Sequence, residues 1–309
     1  MLGYLMQRTN QFVVESSGSL DQKISIAYTK VAGLHIRYAE VGRDNDKKVL
    51  MIHGGGVSSG AVSWSKIMPV IGAEHHVIAP DLPGYGKSQK SREKATLAYY
   101  ADFTESFMKH MHIKRADIIA ESFGGGIALG FTLEHKERVN SLALIDAYGF
   151  FDKKFPLAAY LLTRIPADIQ QSLIKNLAKS DAAFSAVLKI LLKGHNGNGP
   201  SNGEAKIVQE YVQRRNLTEA CLEFVQSEVT VHGIRSNFTN RIPELNSTGI
   251  PVLFLHGTRD GLFPIENQKK ISEKINNSRF VSIDAAHQPE ETNPEEVCRE
   301  ILALLKRAS

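Results

Sequence analysis

The sequence predicts an α/β fold with a mainly parallel, doubly wound sheet and a helical insertion in its second half. Short apolar runs at Val49, His76, Asp117 and Ser141 alternate with segments whose apolar residues recur at helical spacing. Strand, helix, strand in alternation covers a parallel sheet on both faces. From Gly149 to about Arg241 no strand signal survives, and strand-like runs return only at Val252 and at Arg279 to Ile283.

Taken in order, the runs Lys23 to Thr29 and Leu34 to Val41 alternate as a hairpin through Ala32-Gly33. Val49-Leu-Met-Ile is a buried strand entering His53-Gly54-Gly55-Gly56, and a second strand ends at Pro80 before Asp81-Leu-Pro-Gly-Tyr-Gly-Lys-Ser88. Thr96 precedes a helix over Leu97 to His112, whose stripe Tyr100, Phe103, Phe107 and Met111 belongs to the core rather than to a cofactor site. Phe123 to His135 forms the next helix. Inside the insertion, Leu157 to Thr163, Asp168 to Leu177, Ala182 to Leu192 and Ala205 to Arg214 are amphipathic, and the tract Gly194 to Gly203 reads as a mobile loop. The expected organisation is an arm over 1–19, a core over 20–148 and 242–309, and the insertion over 149–241. There is no internal repeat.

Composition narrows the function classes. A chain of 309 residues, 42% of them hydrophobic, buries a large core, and its formal charge of +4 is spread among acidic residues, which speaks against nucleic acid as a partner. No apolar run approaches the roughly twenty residues of a membrane span, and the first residues lack a signal-peptide pattern. With only two cysteines, Cys221 and Cys298, both expected on core-facing helix positions, a cytoplasmic location is the expectation. A small molecule is then the expected partner, and the sequence leaves homo-oligomerisation open.

The chemistry concentrates on three residues. Ser122 lies in Asp117-Ile-Ile-Ala-Glu-Ser-Phe-Gly-Gly-Gly-Ile-Ala-Leu, where a strand breaks into small residues and continues as a helix, with Ala120 and Gly124 two positions either side. A nucleophile elbow needs small residues there because two backbones cross closely. Asp260 and His287 each follow a strand-like run. Loops at the carboxyl ends of parallel strands share one edge, so the order Ser, Asp, His can converge into a triad in which His287 takes the serine proton and Asp260 orients the histidine. Asp146 also ends a strand and competes with Asp260. The amides of Phe123 and Gly55 are the expected oxyanion donors. The Gly54 to Gly56 run lacks the P-loop Lys-Ser/Thr ending and G-x-G-x-x-G spacing, so no nucleotide cofactor is expected.

Other candidates are weaker. Asp81 reads as turn chemistry, His53 and His256 as local hydrogen-bonding residues, and no His or Cys pair has metal spacing, so no metal is expected. Glu121 and Gln288, beside the serine and the histidine, are candidate substrate-binding residues; Glu121 either tunes substrate polarity or packs at the strand end. Arg214 and Arg215 either hold a substrate carboxylate or sit on a solvated face.

On the elbow, the glycine run, the two late loops and Asp81 to Ser88, which is similar to a D-x-P-G-x-G-x-S turn, the chain resembles the α/β-hydrolase superfamily. The resemblance implies the α/β-hydrolase fold, with the insertion as a helical cap. His53-Gly-Gly-Gly, the Ser122 segment and the His287 loop look most like the meta-cleavage product hydrolases, which split a carbon–carbon bond in vinylogous 1,5-diketones. Those enzymes usually carry Asn before the nucleophile, Trp after the histidine and Pro where Val57 stands; Glu121 and Gln288 occupy the first two positions here. Hydrolysis of a small carboxylic ester is therefore the leading expectation, carbon–carbon hydrolysis of a 2-hydroxy-6-oxo-dienoate the alternative, and a ligand sensor with little turnover a third reading.

Overall fold

A computed structural model of the protein describes residues 24–56, 58–150, 157–192, 209 and 219–307. Strands β1 (Ser25–Val31) and β2 (Leu34–Val41) form the expected hairpin, with Val31 opposite Leu34. Ala32 and Gly33 turn it with φ of 48° and 84°, the left-handed pair that matches strand twist in a two-residue turn. β2 runs antiparallel to β4 (His76–Pro80), and every later pairing in this sheet is parallel. With β3 (Lys48–Ile52), β5 (Ala116–Glu121), β6 (Val139–Ile145), β9 (Val252–Gly257) and β10 (Ser278–Ile283), the order is β1-β2-β4-β3-β5-β6-β9-β10. From β3 the chain steps to β4 on one side and to β5 on the other. Such a reversal opens a crevice at the carboxyl ends of the two strands.

Alternation along the strands sorts the core into two layers. Leu50, Ile52, Ile118 and Ala120 join the cluster containing Phe107 and Phe131, whereas Val49, Met51 and Ile119 join the cluster containing Met68, Ile71, Val297 and Ile301. A strand presents successive side chains to opposite faces, so one apolar run serves both layers. The second layer is built by two four-residue helices, α1 (Gly60–Ser63) and α2 (Met68–Ile71), with a long helix at the carboxyl end. The first is built by α3 (Leu97–His110) and α4 (Ser122–Glu134). Thr96 Oγ1 accepts the Tyr99 N–H and starts α3, which buries Tyr100, Phe103, Thr104 and Phe107 and ends two residues before the expected His112. His112, with φ of 55°, already lies outside helical space. α4 is buried from Phe123 to Leu133, in keeping with its all-round apolar sequence.

After β6 come α5 (Leu157–Thr163), α6 (Ala167–Leu177), α7 (Asp181–Leu192) and α8 (Glu219–Glu228). One element departs from expectation: β7 (Val229–Thr230) pairs antiparallel with β8 (Gly233–Ile234) inside the supposedly strand-free insertion. Two residues are too short to print an alternation. The Phe238 N–H donates to Gly149 O at 2.9 Å, so the chain leaves and rejoins the sheet at one place. The arm 1–19, Val57, the Gly194 to Gly203 tract and, apart from Gln209, the Ala205 to Arg214 segment lie outside the described residues. The fold closes with α9 (Ile265–Ser272), α10 (Pro289–Thr292) and α11 (Pro294–Arg307); α11 buries Val297, Cys298, Ile301, Leu304 and Leu305. Among the described residues no helix is long and apolar enough to cross a membrane.

One close approach between layers is at Gly124, where an added Cβ would collide with the Ile52 and His53 carbonyl oxygens. Gly124→Ala is expected to destabilise the fold by about 3 kcal/mol, the upper end of overpacking costs, seen as a lower urea midpoint. An unchanged midpoint would show that α4 crosses β3 less closely.

Candidate active site

β5 ends at Glu121 and α4 starts at Ser122, whose φ of 48° places a non-glycine residue in left-handed space. Such strain costs about 1–3 kcal/mol and persists only where surrounding structure enforces it. Enforcement comes from two sides. Gly124 lets the helix pass over the β3 carbonyls, and Ser122 O accepts the Tyr148 N–H at 2.8 Å. Ala120, at the other small position, is fully buried, so its methyl group is accommodated. Ser122 Oγ makes no hydrogen bond among the described residues, which leaves it available to a base or a substrate.

The glycine loop after β3 is held from below by His53. His53 Nε2 accepts the Leu82 N–H at 3.0 Å, so its proton sits on Nδ1, which donates to Gly54 O at 2.7 Å. Burial keeps this ring below its usual pKa and neutral. The Gly54 N–H donates to Glu121 Oε1 at 2.7 Å, and a Cβ on Gly55 would stand 3.6 Å from that of Phe123. Gly55 thus faces the first turn of α4, where Phe123 lies and helix amides lack an intrahelical acceptor. The Gly56 N–H donates to Cys221 Sγ of α8 at 3.2 Å. Cys221 is therefore only partly a core residue, whereas Cys298 is buried as expected. Phe224 of α8 stacks at 4.1 Å on the Phe123 ring, and Lys90 pairs with Glu219 and Glu223 of the same helix.

On the far side of the elbow, Asp260 and His287 meet. His287 Nδ1 donates to Asp260 Oδ2 at 3.0 Å, and the other Asp260 oxygen accepts the Leu262 and Phe263 N–H groups. Asp146, with φ of 42°, stands farther off, 3.9 Å from His287 Nδ1, and its oxygens accept the Gly257 and Gln288 N–H groups. Burial works against the His287 charge, but the Asp260 carboxylate, then Asp146 and Glu121, outweigh it and raise the pKa to about 9. Asp260 is held below the usual carboxylate range despite burial, chiefly by the His287 charge. Burial and then the Asp260 charge push Asp146 up to about 6. His256 lies between the two acids and contacts the Phe263 carbonyl through Nε2 at 3.0 Å. Asp146, His256 and Asp260 bring three ligand-type atoms within 4.8 Å. Every carboxylate oxygen of the cluster already accepts a hydrogen bond from the protein.

Glu121 and Gln288 bridge the two halves. Glu121 is 1% exposed and Gln288 8% exposed, and Gln288 Nε2 donates to Glu121 Oε2 at 3.2 Å. Their polar atoms face each other, unlike side chains held out to a substrate, and they draw together the residues next to Ser122 and His287. Arg214 and Arg215 lie outside the described residues. Glu290 carries no signal in the sequence: as the second residue of α10 it reads as a solvated helix start, yet it is wholly buried against Glu121. Phe263, whose ring meets His287 edge-on at 5.3 Å, was equally silent.

Comparison with known proteins agrees with the fold. A family profile described as the alpha/beta hydrolase fold matches residues 47–294. A 2-hydroxy-6-oxo-6-(2'-aminophenyl)hexa-2,4-dienoic acid hydrolase of Metapseudomonas resinovorans is 23% identical over 96% of this chain and 97% of its own length. Among solved structures, a thermophilic esterase from Thermogutta terrifontis superposes with a TM-score of 0.67 at 22% identity, covering 93% of this chain and 99% of that one. A meta-cleavage product hydrolase from Pseudomonas fluorescens IP01 gives a TM-score of 0.65 at 20% identity over 91% and 98%. At such identities the structural likeness speaks for the fold. With a strained serine at the turn from β5 into α4 and a family match over residues 47–294, the chain belongs to the α/β-hydrolase fold family and is a hydrolase.

Proposed function

We propose that the protein is a serine hydrolase acting on a small carboxylic ester through Ser122, His287 and Asp260. The observation that carries this reading is the 3.0 Å His287–Asp260 hydrogen bond on a loop that Gln288 ties to Glu121, the residue before the left-handed Ser122. Asp260 fixes the proton on Nδ1 and leaves Nε2 to take the serine proton as Oγ attacks the carbonyl carbon. The Phe123 and Gly55 N–H groups receive the developing oxyanion. The imidazolium then protonates the leaving alkoxide, and a water activated by the same ring releases the acid. α8, with Phe224 against Phe123 and Cys221 against Gly56, supports a reading of residues 149–241 as a cap that sheds water from the reacting bond.

Carbon–carbon hydrolysis is the second reading, favoured by similarity to a dienoic acid hydrolase along nearly the whole chain. Charge favours the ester. Glu121, ionised and buried beside the nucleophile, repels an anionic substrate: at about 6 Å and an effective dielectric of about 20, two like charges cost roughly 3 kcal/mol.

Because His287 acts as a base only when neutral and holds its proton up to about 9, kcat/KM is expected to rise with pH until about that value. Asp260→Asn removes the principal anion, so kcat should fall by about two orders of magnitude or more and the rising limb should move to lower pH. Asp146→Asn, with its oxygen 3.9 Å away, should cost less than about tenfold. The opposite ranking would transfer the orienting role to Asp146.

Substrate choice is checked with short-chain aryl esters and, in parallel, a 2-hydroxy-6-oxo-dienoate followed by its visible absorbance. Ester turnover is expected to exceed dienoate turnover, and Ser122→Ala to abolish both as well as labelling by a fluorophosphonate. Faster dienoate cleavage establishes the second reading. Ligand binding with no turnover identifies a sensor.

A further inference from the structure

Three segments distant in sequence meet at one carboxylate. Glu121 Oε1 accepts the Gly54 N–H of the glycine loop at 2.7 Å. Oε2 accepts Gln288 Nε2 of the histidine loop at 3.2 Å, and Gln288, with φ of 80°, anchors that loop by donating its own N–H to Asp146 Oδ2. Glu290, in the first turn of α10, is sealed from solvent with neither carboxyl oxygen in a full hydrogen bond. Glu121 itself is joined by one peptide bond to Ser122. The oxyanion loop and the histidine loop therefore share a single buried acceptor, one peptide bond from the nucleophile.

Resting on the serine-hydrolase reading, we propose that Glu121 is a positioning residue for the reaction, its carboxylate clamping the oxyanion loop to the histidine loop. The charges agree. Burial disfavours ionising either acid, but the Glu290 proton, the Gly54 N–H, the Gln288 amide and the His287 charge together keep Glu121 below the usual range. Burial and then the Glu121 charge drive Glu290 well above it. Two carboxyls in such contact hold one proton between them, because both cannot ionise in a low dielectric. The clamp fits hydrolysis in particular. Oxyanion donors act only where they are preorganised, and misplacement by about 1 Å costs on the order of 100-fold in rate.

The residue also reaches His287 electrostatically, since its negative charge is among those that hold the ring protonated. The titratable groups around the junction and the ring are His53 after β3, Asp146 after β6, His256 in β9, Asp260 after β9, and Glu290 in α10. Replacing the Glu121 carboxylate by an amide leaves each of these in place and removes one charge.

The test compares wild type, Glu121→Gln, Gln288→Ala and the double variant by aryl-ester kinetics and by the pH dependence of fluorophosphonate labelling at Ser122. Glu121→Gln is expected to lower kcat by about 10- to 100-fold with KM within about threefold, and to shift the rising limb to lower pH. Gln288→Ala should lower kcat as well, and the double variant should be no worse than Glu121→Gln, since both act through one acceptor. Wild-type kcat and an unmoved pH limb in Glu121→Gln, or additive losses in the double variant, overturn the proposal. Should Glu121→Gln fail to fold, Gln288→Ala decides alone: a lower kcat at constant KM supports the clamp, and wild-type kcat refutes it. A wild-type protein that is not labelled at Ser122 overturns the serine-hydrolase reading and the clamp with it, whereas a labelled wild type with indifferent variants overturns the clamp alone.

Discussion

How closely α4 crosses the end of β3 governs the geometry of everything at the carboxyl edge of the sheet. Gly124 rests on the Ile52 and His53 carbonyls. That contact brings the helix start down to the glycine loop, and Ser122 has to enter left-handed space to reach the helix from β5. Glycine is required at Gly124 because a backbone fills the space a side chain would take. At Ala120, which faces no such obstacle, one methyl group is tolerated. Strain at the serine is thus the local cost of an inter-layer distance set by packing elsewhere.

Electrostatics form the second layer of organisation. Asp146, Asp260 and Glu121 act on one histidine, Glu290 lies against Glu121, and the four differ in state: Asp260 and Glu121 are driven toward ionisation, Glu290 away from it, and Asp146 sits near 6. The differences follow from neighbours rather than from residue type. Each ionised acid has backbone N–H donors together with His287 in reach, whereas Glu290 has no full hydrogen bond. Alternating protonation spares the site four buried negative charges.

Much of this was legible in the sequence because turn chemistry and strand order are local signals. The hairpin at Ala32-Gly33, the parallel strands and the loops bearing Ser122, Asp260 and His287 each print a pattern within ten residues. The same reading made Glu121 and Gln288 candidate substrate-binding residues, with packing at the strand end as the other reading of Glu121. What it missed depends on contacts between residues far apart: Glu121 meets Gln288 across 167 positions, and Gly56 meets Cys221 across 165. Glu290 was invisible for a related reason, since acidic residues open most helices on the solvent side and only the fold turns this one inward. The β7–β8 pair escaped because two residues carry no period.

The bond from Phe238 N–H to Gly149 O closes the insertion at its neck. Joining the ends of a long segment costs little more as the segment grows, so the sheet experiences the whole excursion as one short turn. Variation in its length or composition can then accumulate without moving β6, β9 or the groups they carry. The strands on either side of that segment are joined by a bond that does not depend on what lies between its ends.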